Sequence, residues 1–230
     1  MLNFIYIPTI GQNFMKSNLF LRVISVVVMI LWAWPLRAAP ISTDEAAQWA
    51  QDKGQQLLTV FNNPDLASRY KELDQLLVEY IDLEYVARFV VGKYWKDMTP
   101  EQRQVYFNVF KRYALALYKT FPLDFADKLA YRVTGAEKGA NDATVYAEVK
   151  ASLGGNGEVQ TFKLAFRLHQ INGKLQLIDI KLGESSLILA YRSRFYEMIA
   201  ADDGDTGWFI EDLELLASSL EQNNQSKLDF

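Results

Sequence analysis

His169 is the only histidine of this chain and there is no cysteine, so nucleophilic and metal chemistry have few residues to draw on. A histidine base needs a nucleophile or an orienting acid within reach. None stands near His169 in sequence, and its place after Leu168 in an alternating stretch reads as the rim of a strand. Paired carboxylates would suit glycosidic chemistry. The nearest candidates, Asp82 and Glu84, lie where a helix start explains them. Asp202-Asp203-Gly204-Asp205 is only faintly calcium-like: it lacks the ligand spacing such a loop needs and reads as an acidic loop. No G-x-S-x-G, G-x-G-x-x-G or Walker loop occurs. The richest stretch is instead apolar surface. From Asp82 to Tyr118, aromatic and aliphatic residues recur at helical spacing around a Gly-Lys-Tyr-Trp turn and a Thr-Pro-Glu-Gln helix start.

The ends of the chain frame that surface. Met15-Lys16 opens a short basic region, and the apolar run Val23 to Trp34 is shorter than the roughly 20 residues a membrane span needs. Pro35-Leu36-Arg37-Ala38-Ala39-Pro40 then offers small residues for cleavage, which reads as a signal peptide over residues 1–38 cut after Ala38. Met15 serves equally well as its start, and an uncleaved membrane anchor is the alternative. Losing Lys16, Arg22 and Arg37 with the leader leaves 21 basic against 28 acidic residues, a net charge of −7. Such a surface argues against nucleic acid and against standing contact with anionic headgroups. Export without cysteine means no disulfides, and reads as a bacterial periplasmic protein.

Two periods divide the remainder. Ser42 with Glu45, Asp65, Asp82 and Thr99 with Gln102 are helix starts, followed by apolar residues at helical spacing. Gly92 suits a helix end, and Pro122 stops the long helix, with a short helix expected to follow to Leu129. From Tyr131 the period falls to two, giving strands at 131–138, 143–152, 158–170 and 174–182. Gly154-Gly155-Asn156-Gly157 and Asn172-Gly173 mark turns. Helix returns after Gly183, and the tail 223–230 is expected to be disordered. The fold class is therefore α+β: helices packed on a four-stranded antiparallel twisted sheet enclosing a hydrophobic cavity, one domain over residues 39–222. Such a cavity would hold acyl chains, although periodicity alone does not separate a filled core from a hollow one.

Two segments carry a resemblance. Asp82, Ala87, Arg88, Gly92, Tyr94, Trp95, Thr99, Pro100, Glu101, Gln102, Phe107 and Phe110 follow the spacing D-x4-AR-xxxGxYW-xxxTPEQ-xxxxF-xxF. Ser186-Leu187 is followed by Tyr191-Arg192-Ser193-x-Phe195. Together they resemble the MlaC/toluene-tolerance family of periplasmic phospholipid-binding proteins, over roughly residues 45–220. The chain departs from the family at Gly183-Glu184-Ser185-Ser186-Leu187, where E-G-V-S-L is usual, and at Leu175, where a Trp is common. These changes bear on which lipid is carried, a hopanoid or other lipid included.

The resemblance implies a carrier shuttling phospholipid between an outer-membrane lipoprotein complex and an inner-membrane ABC transporter with its membrane-anchored substrate-binding component. It implies no catalysis and no cofactor beyond the bound phospholipid. The expected tail pocket draws on Phe89, Val90 and Trp95, and on Val109, Phe110, Tyr113, Ala114, Leu117 and Tyr118 of the long helix. The strands add Val145, Val149, Phe162, Leu164, Phe166, Leu177 and Ile180, and the next helix Leu187 and Tyr191. Arg88, Arg192 and Arg194 are expected at the rim, where Arg suits a headgroup or a carboxylate; for Arg88 and Arg192 structural carboxylates are the preferred partners. Two other classes stay open: a lipid or glycan hydrolase, which needs an inward-facing acid–base pair, and a chaperone with an apolar groove for peptides.

Overall fold

Helix starts fall where the sequence offers caps. The computed structural model describes residues 41–120, 130–152 and 159–229. Helix α1 (Thr43–Phe61) begins after Ser42, whose side chain makes no capping bond, so the box expected with Glu45 does not form. Helix α2 (Leu66–Tyr80) is capped by Asp65, which accepts from the Ser68 amide at 2.6 Å. Asp82 does the same for α3 (Leu83–Val91), accepting from the Tyr85 amide at 2.9 Å. Gly92 ends α3 at φ +49°, a conformation that favours glycine, and opens a 3-10 turn over Gly92–Lys96. Helix α4 (Pro100–Tyr118) has the complete box: Thr99 accepts from the Gln102 amide and donates its own amide to the Gln102 side chain.

The meander follows with its strands in sequence order. Strands β1 (Ala130–Lys138), β2 (Asp142–Ser152), β3 (Val159–Ile171) and β4 (Lys174–Leu182) pair antiparallel. Asn172 and Gly173 both take positive φ, 50° and 78°, as a tight two-residue hairpin turn demands. One element was not expected: β5 (Ser185–Ser186) folds back on the end of β4, making five strands among the described residues. Helices α5 (Leu187–Ala201) and α6 (Thr206–Ser226) complete the described chain. The expectation of disorder from residue 223 is corrected here. Helix α6 continues to Ser226, and Asn224 is buried there, donating to the Ala116 carbonyl on α4 at 2.7 Å. The leader 1–38, the short helix expected before Leu129 and the Gly154–Gly157 turn lie outside the described residues.

Apolar burial divides into two cores. Cross-strand pairs Ala143↔Leu168 and Val145↔Phe166 share one sheet face, and α1 covers it with Ala46 and Ala50. Close approach is possible because residue 54 is glycine: a Cβ there would stand 2.2 Å from the Tyr131 ring. Tyr131 then donates to the Ala50 carbonyl at 3.0 Å. The second core is helical, built on Val90, Tyr106, Phe110, Phe195, Phe209 and Leu213. Leu177 touches both. Within the helical layer α4 leans on α6, where Arg112 reaches Glu214 and Glu221.

Candidate functional site

A cavity opens between α4 and β4, with α3 and α5 as its side walls. Helix α4 contributes Phe110, Tyr113, Ala114, Leu117 and Tyr118; α5 contributes Leu187, Ile188 and Tyr191. From α3 and the residues before it come Ile81, Leu83, Val86 and Val90. Strand β4 lines the space with four consecutive residues, Leu177 to Ile180. Alternation would allow only every second one. The cause is a bulge: Leu177 pairs with Leu168 and Asp179 with Arg167, leaving Ile178 as the extra residue that kinks the strand. The cavity volume is about 70 Å³.

One charged side chain lines it. Asp179 is buried, with its two oxygens engaged: Oδ2 accepts from the Ser186 hydroxyl at 2.7 Å and Oδ1 from the Ile188 amide at 3.1 Å. Both donors stand at the first turn of α5, where a carboxylate offsets the helix's orphan amides. A hydrolase needs an acid–base pair in such a space; this carboxylate is committed to starting a helix. His169 lies elsewhere, its Nε2 2.8 Å from Asp82 Oδ2 and its ring edge-on to Tyr85 at 5.2 Å. The two atoms are close without the alignment of a hydrogen bond, and the ring packs β3 against the start of α3. Among the described residues no group of three His, Asp or Glu is placed to hold a metal ion.

Of the expected pocket residues, the cavity gathers Val90, Phe110, Tyr113, Ala114, Leu117, Tyr118, Leu177, Ile180, Leu187 and Tyr191. Others stand elsewhere. Val145 and Phe166 fill the core beneath α1. Val149, Phe162 and Leu164 are half-buried, on the face that Val145 shares but outside the cavity lining. Val109 is buried in the helical core beside it. Phe89 and Trp95 belong to a joint between the two motif segments. There the space a Cβ at Gly92 would fill is taken by Tyr196 Oη and the Arg192 guanidinium, 2.3 and 2.7 Å away. Tyr196 accepts from the Lys93 amide and from Arg192, each at 3.0 Å, and the Arg192 guanidinium stands over the Phe89 ring.

The three rim arginines therefore part company. Arg88 lies 5.9 Å from the Trp95 ring centre, in the same cation–π role that Arg192 plays on Phe89. Neither meets a carboxylate among the described residues. Arg194 is exposed, and its charge acts on Tyr113 and Tyr191 of the cavity wall. Sequence reasoning missed Asp179, Ile81, Leu83, Val86, Ile178 and Ile188. Alternation in β4 sets Leu177 with Asp179 on one face and Ile178 with Ile180 on the other, and only the bulge brings all four to the cavity.

Burial leaves its mark on the tyrosines. It pushes Tyr118, Tyr131 and Tyr191 up to about 12, and Tyr80 likewise with help from the charge of Glu79; burial also raises Tyr106 well above the ordinary phenol value. A raised folded value means stability is intact below the ordinary phenol value near 10 and is lost as pH climbs through the folded one. The melting temperature is thus expected to fall steeply between about pH 10 and 12, with phenolate absorbance appearing together with unfolding. Full phenolate formation near pH 10 in a folded chain would contradict the burial described.

The site, then, is an apolar cavity in a helix-and-meander α+β domain, with one internally bonded carboxylate. A family model described as MlaC protein matches residues 51–214, and the chain belongs to that family. Both motif segments lie inside the match. Among solved structures the chain is similar to the phospholipid-binding protein from Ralstonia solanacearum, determined in complex with a phospholipid. Identity is 20%, the TM-score 0.62, and the match covers 76% of this chain and 98% of that one. At that identity the likeness speaks for a shared fold.

Proposed function

We propose that this protein is a phospholipid carrier of the periplasm that holds its cargo by the acyl chains and performs no chemistry on it. It collects lipid from one membrane-bound partner and delivers it to another: an outer-membrane lipoprotein complex and the membrane-anchored component of an inner-membrane ABC transporter. The result is maintenance of outer-membrane lipid asymmetry. The observation that carries this reading is the cavity between α4 and β4, walled by aliphatic and aromatic side chains, whose one charged group is a carboxylate already satisfied within the protein. Family membership and the phospholipid held by the Ralstonia protein support it.

Energetics set what such a carrier must do. Each buried methylene is worth about 0.8 kcal/mol, so two acyl chains carry on the order of 20 kcal/mol that the protein must nearly match. Offering much more would trap the lipid. A site for a drug-sized ligand holds about 300 Å³ or more, well above the 70 Å³ present between these walls. Loading therefore requires α4 and α5 to part from β4. Native mass spectrometry of the exported protein, followed by organic extraction, tests the reading. The expected result is one phospholipid per chain, identified by its mass. A chain that stays empty after incubation with phospholipid vesicles would sink it.

A further inference from the structure

Resting on the carrier reading, we propose that Arg194, Tyr113 and Tyr191 form a clamp for a phosphate ester, holding the headgroup of a lipid whose tails enter the cavity. Tyr113 on α4 and Tyr191 on α5 both line the cavity and meet edge to face, their ring centres 6.4 Å apart at 87°. Tyr113 is only 3% exposed. A buried phenol ordinarily donates to a protein acceptor, as Tyr106 does to the Ala87 carbonyl at 2.8 Å. The Tyr113 and Tyr191 hydroxyls have no such partner among the described residues. Their donors remain available to a ligand.

Arg194 supplies the charge. It stands three residues after Tyr191 on α5, on the same helix face. No carboxylate pairs with it among the described residues, whereas Arg112 and Arg167 both have ion-pair partners. Its charge opposes, at both phenols, the upward push that burial gives them, so both hydroxyls lie within its electrostatic reach. A guanidinium fork with two O–H donors matches the two free oxygens of a phosphodiester. Beyond the tyrosines the wall is Leu117, Leu177, Ile180 and Leu187. The fitting ligand is anionic at one end and hydrocarbon at the other. Arg192, bonded to Tyr196 and stacked on Phe89, has no such freedom.

The test offers dioleoyl phosphatidylglycerol and dioleoylglycerol in equal amounts, from vesicles, to the exported protein freed of lipid; occupancy is read by native mass spectrometry. Wild type is expected to prefer the phospholipid by about tenfold or more, the worth of one charge-assisted hydrogen bond. Arg194→Gln, on the surface, should bring the ratio close to parity while dioleoylglycerol still loads; Tyr191→Phe should lower it in the same direction. A wild-type preference retained by Arg194→Gln would overturn the clamp. So would equal loading of both lipids by wild type, which leaves the carrier reading standing. Loading of neither lipid would remove the carrier reading itself, and the clamp with it. Glycerol phosphate, offered without acyl chains in a calorimetric titration, should give no saturable binding. Saturable binding lost in Arg194→Gln would reassign the site to a free phosphate ester and overturn the headgroup role.

Discussion

Replacing Phe195 by alanine is expected to lower the unfolding free energy by about 3–5 kcal/mol, the range for emptying a buried aromatic site. Phe195 has no solvent exposure and stands where three helices meet. Its ring centre lies 6.2 Å from Phe110 and 6.0 Å from Tyr113 on α4, and 5.3 Å from Phe209 on α6. Because Phe110 and Phe209 also pack on Tyr106, and Tyr113 on Tyr191, no single side chain is free to swing into the hole. The hole should persist. A domain has about 5–15 kcal/mol in total, so the loss is a large fraction of it. A shift of about 2–4 °C per kcal/mol places the fall in melting temperature near 10 °C. Urea unfolding checks this: the midpoint should drop with little change in slope. A loss below about 1 kcal/mol would mean the ring cluster is not where α4, α5 and α6 are joined.

What was legible beforehand is what local chemistry decides. Asp65, Asp82 and Thr99 cap helices because a side-chain oxygen and an amide two or three residues on are enough, whatever lies around them. The meander could be read from alternation and from Asn172-Gly173, whose positive φ angles are a property of two residues. Ser42 shows the limit: the spacing to Glu45 was right, but its side chain makes no cap bond. What could not be read depends on which surfaces meet. Val145 and Phe166 alternate as Ile180 does, yet α1 lies over the first two and the cavity over the third. Arg88 and Arg192 carry the same charge as Arg194. Only the fold stacks them on Trp95 and Phe89 and leaves Arg194 exposed, its charge acting on the tyrosines. Asn224 reads as part of a polar tail until the Ala116 carbonyl is set opposite it.

The position of the cavity follows from how α4 is held. Its long axis is fastened to α6 through Arg112 and through Asn224, at two levels on the same side. The face bearing Phe110, Ala114 and Leu117 is left toward β4, where the bulge at Ile178 turns the strand and prevents regular packing. Asp179 sits at that point and anchors the start of α5. The wall that must move for a lipid to enter is thus bounded by two fixed points, the α4–α6 contact and the Asp179 cap.

Ala114→Trp is expected to reduce bound phospholipid at least tenfold while the protein still folds. Ala114 is half-buried on the cavity wall, one turn from Phe110 and Leu117. An indole there projects into a space of about 70 Å³, occupying the volume that acyl chains must enter. Overpacking costs about 1–3 kcal/mol at a filled site, and less where a ring has open space to lie in. The stability loss should be smaller than for Phe195→Ala. Val105→Trp is the matched control, with the same ring on the same helix at a position that is half exposed. It should leave occupancy unchanged. Leu164→Trp decides how far the tails reach along the sheet, since Leu164 shares a face with Phe166 but stands outside the cavity. Lowered occupancy there would extend the tail site onto β3; unchanged occupancy would confine it to the space between α4 and β4. Native mass spectrometry after vesicle incubation reads all three. Full occupancy in Ala114→Trp would mean that the lipid does not lie between α4 and β4.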